Sequence, residues 1–178
     1  MAISIQEAQW VLRAQCDDRE ALELLLRSVQ PSLRRYIAGL IGADDADDVL
    51  QDVLVLVSRK LYWLEVPELF RAWAFRIASR AAFRHLKTRK RWSAPLDDAV
   101  LDEVAAPDAP VSDEVLRELL NSPALSPASR AVFVLHFQED MPLAHVAEVL
   151  EIPIGTVKSR LAFGLKALRR QLADKRSL

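Results

Sequence analysis

Apolar residues recur along most of this chain at intervals of three and four, the period of helices with one buried face, and no β-hairpin signal interrupts them. Ala8, Val11 and Leu12 place a first helix over 5–15, and Asp17-Asp18 is a polar break. Leu22, Leu25, Leu26, Leu33, Tyr36, Ile37 and Leu40 carry a longer helix from Arg19 to Ile41, where Pro31 predicts a kink or a short break and Gly42 a stop. Asp44 or Asp45 is then placed to cap a helix running through Val49, Val53, Leu56 and Val57 to about Tyr62. The β-branched stretch Val53 to Val57 could pass for a strand, but Leu50, Leu54 and Leu61 extend the helical period beyond strand length. After Leu64-Glu65-Val66-Pro67, with Pro67 at the first turn, a helix from Glu68 to about Arg91 turns Leu69, Phe70, Trp73, Ile77, Ala81 and Leu86 inward and its arginines outward.

From Ser93 to about Val111 the period vanishes, and three prolines and five carboxylates mark a linker. Ser112 caps a short helix over 113–120, Asn121-Ser122-Pro123 breaks it, and Ser126-Pro127 opens another through Val132, Leu135, His136 and Phe137. Leu143, Val146, Ala147 and Leu150 then form one short helix, and beyond Glu151-Ile152-Pro153 the residues Val157, Leu161, Leu165 and Leu168 restart the period. The second of this pair carries Lys158, Arg160, Lys166, Arg169 and Arg170. A helix-turn-helix has this layout, in which one helix braces another whose N-terminal side chains enter the major groove. An ordinary helical hairpin with a solvated basic face has the same spacing. The pattern as a whole predicts an all-α chain of two small domains, 5–92 and 112–175, joined by the acidic linker 93–111.

Charge sharpens this picture through its distribution, since 24 bases against 25 acids leave a net charge of only −1. Arg71, Arg76, Arg80, Arg84, Lys87, Arg89, Lys90 and Arg91 follow one another without a carboxylate between them, and a second basic run begins at Lys158. Two basic segments separated by an acidic one suit two contacts with a polyanion. Cys16 is the single cysteine, which leaves no internal disulfide or thiolate cluster and fits a reducing cytoplasm. No apolar run reaches the roughly 20 residues of a membrane span, and the N-terminus lacks the order of a signal peptide.

Chemistry-bearing constellations are missing from the pattern. His85, His136 and His145 have no metal-ligand spacing, no Gly-rich phosphate loop occurs, and the cluster Asp44, Asp45, Asp47, Asp48, Asp52 lacks the spacing and central glycine of a calcium loop. That cluster is read as the solvated start of a helix. No catalytic residue, metal or cofactor is expected.

Three stretches carry a resemblance. ADDADDVLQDVLVLVSRK looks like the acidic helix of bacterial sigma factors, FRAWAFRIASRAAFRHLKTRKR looks like their basic promoter-melting helix, and LSPASRAVFVLHFQEDMPLAHVAEVLEIPIGTVKSRL resembles their C-terminal domain. Their order, and the short linker with no further domain, resemble the extracytoplasmic-function group of the sigma-70 family from about Ala8 to Leu172. The resemblance implies a protein that binds core RNA polymerase and directs it to promoters. Asp44, Asp47, Asp48, Gln51 and Asp52 would dock on the beta-prime clamp, and Val132, Leu135, His136 and Phe137 on the beta flap, although core packing explains these last four equally well. The minus-10 element would meet Trp63, Arg71, Trp73, Arg76, Arg80, Phe83, Arg84 and Lys87, with the loop Trp63 to Glu68 as the place for an unstacked base. Thr156, Lys158, Ser159, Arg160, Ala162, Phe163 and Lys166 would read the minus-35 duplex. An anti-sigma factor is a further implied partner.

The chain departs from the family pattern in two places. Glu151 stands at the turn of the helix-turn-helix where a glycine is common, and a positive φ there would cost roughly 1 kcal/mol. Phe163 and Leu165 stand where bases are common, which shifts the minus-35 contact toward apolar and small groups. The rival is a stand-alone helix-turn-helix regulator or an anti-sigma-like adaptor; the acidic helix directly upstream of the basic one, for which such a protein has no need, separates the two.

Overall fold

The computed structural model describes residues 5–88 and 125–176, with side chains described as far as residue 166 in the last helix. Every regular element among them is helical. The chain divides into two compact units, 1–92 and 93–178. The expected linker 93–111 and the short helix over 113–120 lie outside the described residues.

The first unit is built from α1 (Ile5–Gln15), α2 (Arg19–Ile41), α3 (Ala43–Lys60) and α4 (Phe70–Thr88). Asp17 turns the chain with φ 63°, and Asp18 caps α2, its carboxylate accepting the Ala21 N–H at 3.0 Å. That hydrogen bond first, and then the bond from Arg13, hold the Asp18 carboxyl below the usual carboxylate range. Pro31 neither ends α2 nor divides it in two; the helix continues through it because Leu25, Val29, Leu33, Tyr36 and Ile37 on both sides are fully buried. Packing there outweighs the missing N–H.

Gly42, at φ 97°, both closes α2 and precedes α3. The expected aspartate cap is absent: α3 starts at Ala43 with no side-chain cap bond, and Asp44 and Asp45 sit in its first turn. There they meet the positive end of the helix instead. The helix also stops short of Tyr62, giving way to a 3₁₀ turn at Leu61–Trp63, and a second such turn at Pro67–Leu69 precedes α4.

The inner face of α4 is rotated from the expected one. Phe70, Ala74, Phe75, Ala78, Ala81, Ala82 and Leu86 are buried, whereas Leu69 is exposed and Trp73 and Ile77 are only half-buried. The alanines let α4 approach α2 and α3 closely, an advantage that apolar size alone does not advertise. Inside this core the Tyr36 hydroxyl and Ser79 Oγ share a 2.6 Å hydrogen bond, Ser79 Oγ also donates to the Phe75 carbonyl at 2.8 Å, and the Tyr36 ring meets Phe75 edge-on at 5.3 Å. Burial pushes the Tyr36 hydroxyl well above its ordinary pKa, so it stays neutral.

The second unit comprises α5 (Pro127–Phe133), α6 (Leu143–Leu150) and α7 (Ile154–Arg176). Ser126 caps α5 through the Ser129 N–H at 3.2 Å, with Pro127 at the first helical position. Where an unbroken helix to Glu139 was expected, α5 widens into a π turn over Val134–Gln138. The His136 Nδ1 lies 2.8 Å from the Met141 carbonyl, and since a carbonyl only accepts, this nitrogen carries the proton. Gly164 lies where α7 crosses α5: a β-carbon there would meet the Phe133 ring, 2.7 Å from Cζ.

Candidate nucleic-acid and polymerase interface

Asp44, Asp47, Asp48, Gln51 and Asp52 are all exposed. At 3.6 residues per turn they fall within about 140° of arc on α3, with the exposed Val55 near the middle of the stripe. Next to it runs a groove of about 390 Å³ between α2 and α3, with Leu26, Leu50, Leu54 and Val55 among its walls. Asp47 is engaged at its rim: Arg34 donates from Nε at 2.7 Å and from Nη2 at 3.0 Å, a bidentate fork that ties α2 to α3. These bonds hold the Asp47 carboxyl below its ordinary range. Asp48 and Asp52 are thus better placed than Asp47 to meet a basic partner.

On α4 the residues Trp73, Arg76, Arg80, Phe83, Arg84 and Lys87 fall within about 100° of arc, opposite the alanine face. Arg80, Arg84 and Lys87 are exposed, and Trp73, Arg76 and Phe83 are half-buried at their base. Long cationic side chains beside partly exposed rings suit a backbone with unstacked bases. Arg71 lies elsewhere. It points to α1, where Glu7 accepts from its Nη2 at 2.9 Å and its Nε at about the same distance, and also from Ser28 Oγ at 3.0 Å. Glu7 is only 7% exposed, and a carboxylate so buried needs its cation, so Arg71 has a structural task within the unit. Sequence reading passed over Glu7, because one acidic residue in a first turn looks like an ordinary helix start.

The turn after α3 holds Leu61 and Leu64 inside and turns Tyr62 and Trp63 out, 73% and 72% exposed. Their rings meet edge to face at 6.2 Å. Two large aromatic side chains left in solvent offer a stacking platform.

In the second unit α6 ends on Glu151, at φ 56° and ψ 43°, the left-handed conformation that the missing glycine made conspicuous. The Ile152 N–H returns to the Ala147 carbonyl at 3.1 Å, and Pro153 accepts the Thr156 N–H at 2.9 Å, which fixes the turn into α7. Val157, Leu161, Gly164 and Leu165 form the buried side of α7. Thr156, Ser159, Arg160, Phe163 and Lys166 fall on the opposite stripe, and Phe163 is 44% exposed within it. Ser159 spends its hydroxyl on the Thr156 carbonyl at 3.0 Å, while Lys158, exposed, and Ala162, half-buried, lie on the flank of the stripe. Of the four residues expected at a second polymerase contact, Val132 and Leu135 are 0% exposed and belong to the core. His136 and Phe137 are half-buried, their rings 4.7 Å apart on the π turn, and they alone reach the surface.

Among the described residues no helix is long and apolar enough to cross a membrane. Residues 25–92 match the family model "Sigma-70 region 2" and residues 115–168 match "Sigma-70, region 4". The chain is 27% identical to the ECF RNA polymerase sigma factor SigW of Bacillus subtilis, covering 73% of this chain and 76% of that one. It is also 27% identical to the RNA polymerase sigma-H factor of Pseudomonas aeruginosa over 94% of both, and 24% identical to the ECF RNA polymerase sigma-E factor of Escherichia coli K12 over 90% and 91%. Among solved structures it is similar to RpoE of Bartonella quintana in complex with the anti-sigma factor NepR, with a TM-score of 0.64, 25% identity, and coverage of 85% and 96%. CnrH, solved with the cytosolic domain of CnrY, shares the fold at a TM-score of 0.64 and 20% identity, with coverage of 95% and 98%.

Proposed function

The chain belongs to the sigma-70 family of RNA polymerase sigma factors, in its extracytoplasmic-function group, and on that premise we propose how its surfaces divide the work of directing transcription initiation. The observation that carries the reading is the pair of stripes of opposite sign on neighbouring helices of the first unit. The acidic stripe of α3, led by Asp48 and Asp52, docks on the beta-prime clamp of core polymerase. The stripe Trp73, Arg76, Arg80, Phe83, Arg84, Lys87 on α4 follows the minus-10 strand, and Tyr62 and Trp63 receive a base taken out of the stack. In the second unit the exposed stripe of α7 reads the minus-35 duplex, and His136 with Phe137 meets the beta flap.

This divides the chain into a docking and minus-10 domain over 5–92, a linker over 93–111 and a minus-35 domain over 112–175. The protein works by binding alone, in the cytoplasm, and the chemistry of polymerisation is the core enzyme's. An anti-sigma partner is inferred from the likeness to RpoE, which was solved with one.

Selection on randomised promoters with holoenzyme tests the DNA part of this reading. Arg160→Ala is expected to relax one or two positions of the minus-35 element, by roughly 1 to 3 kcal/mol of discrimination, and to leave minus-10 preferences alone. Trp63→Ala is expected to do the reverse. Coincident changes in both elements, or none in either variant, would contradict the division of labour.

A further inference from the structure

Helix α1 touches the segment between α3 and α4 at two points far apart along its own length. Near its start Glu7 holds Arg71, at the beginning of α4. At its last residue Gln15 uses its amide nitrogen twice, donating to the Leu61 carbonyl at 2.9 Å and to the Leu64 carbonyl at 2.9 Å. The eight residues from Glu7 to Gln15 span about 12 Å of helix, so the segment from Leu61 to Arg71 runs back along α1, tied at each end.

The Gln15 contact acts on the turn that carries the exposed aromatic pair. Leu61 and Leu64 are its two buried side chains, and the Leu64 N–H closes it onto the Leu61 carbonyl at 3.0 Å. The Leu61 carbonyl thus has a backbone partner already, whereas the Leu64 carbonyl is met by Gln15, and a part-buried carbonyl left unpaired is costly. One side-chain amide bonds both and fixes their spacing. Fixing two carbonyls three residues apart also fixes the backbone from which the Tyr62 and Trp63 side chains leave between them. Preorganising a recognition surface in this way removes an ordering cost from binding.

We propose that Gln15 is a positioning residue for promoter melting: by clamping the Leu61 and Leu64 carbonyls it holds Tyr62 and Trp63 in the arrangement that captures an unstacked minus-10 base. The proposal rests on the reading of Trp63 given above. Gln15 itself touches no DNA, and nothing in its local sequence marks it, since a glutamine at the end of a short helix usually faces solvent.

The test compares holoenzymes assembled from core polymerase and the full chain, wild type, Gln15→Glu and Trp63→Ala, on fork DNA that is single-stranded over the minus-10 element. Glutamate keeps the shape of glutamine, removes both donors and sets a carboxylate against two carbonyl oxygens. Gln15→Glu is expected to bind the fork about tenfold more weakly and to flatten the base preference at the captured position, as Trp63→Ala does. Binding to duplex minus-35 DNA should stay as in wild type, and the free protein should remain folded at the assay temperature, melting only slightly earlier because the Leu64 carbonyl loses its partner. If Trp63→Ala loses the base preference and Gln15→Glu keeps it, the proposal is overturned while the reading of the aromatic pair stands. If neither variant changes it, the reading fails and takes the proposal with it. A Gln15→Glu protein that melts early and weakens minus-35 binding equally also overturns it, because the contact would then serve only the fold.

Discussion

Replacing Asp48 and Asp52 together by lysine is expected to weaken binding of core RNA polymerase by about tenfold or more, the scale on which close charge pairs across an interface contribute. Both side chains are exposed and neither is needed by the core. Each substitution should therefore move stability by less than about 0.5 kcal/mol, and the melting curve should be that of wild type. Asp47 is left out of the variant on purpose, because removing its carboxylate would also break the fork to Arg34 that ties α2 to α3. Affinity should be measured at two salt concentrations: the wild-type complex should weaken more steeply with salt than the variant's. Equal affinity of both proteins at moderate salt would remove the acidic stripe from the docking surface.

The second large effect is expected in the C-terminal unit. Gly164→Ala places a methyl group against a Phe133 ring that is 0% exposed and already packed on Phe137 at 5.6 Å, so the ring or the helix has to shift within a packed core. Overpacking of this kind costs roughly 1 to 3 kcal/mol, a large share of what a unit this small has to spare. Minus-35 binding should fall with it, because α7 carries both the clash and the stripe proposed to read the duplex. The cause is isolated by adding Phe133→Leu, which opens space beside residue 164. The double variant should be more stable than the sum of the two single changes predicts, and strict additivity would show that the Phe133 contact is not the reason.

What could be read from the sequence, and what could not, follows the range of the interactions. Ser126 with Pro127 and the polar break at Asp17-Asp18 are fixed by neighbours within a few residues, and each is found where the sequence places it, while Glu151 does take the positive φ that the sequence left conditional. The order and faces of α2 and α3 follow from apolar spacing in the same way. The inner side of α4 does not, because Ala74, Ala78 and Ala82 matter through their small size at a close approach, and spacing favoured the larger Trp73 and Ile77. The α3 cap was misjudged because aspartates in a first turn and an aspartate at the cap leave the same trace in a sequence. Glu7 with Arg71 and Gln15 with Leu61 and Leu64 are separated by 64, 46 and 49 residues, and no local period announces a partner that distant. Arg71 therefore looked like one more member of a basic run, while for Val132 and Leu135 a polymerase contact and core packing stood level, and the structure places both in the core.

Run-off transcription from a genomic promoter library, with core RNA polymerase and the purified full chain, tests the central claim most directly. The account predicts discrete transcripts that require both components, start downstream of a common minus-35 and minus-10 pair, and disappear with the Asp48→Lys, Asp52→Lys protein. Binding of the chain to promoter DNA without polymerase, together with no transcript above the core enzyme's own background, would contradict it and favour a stand-alone regulator.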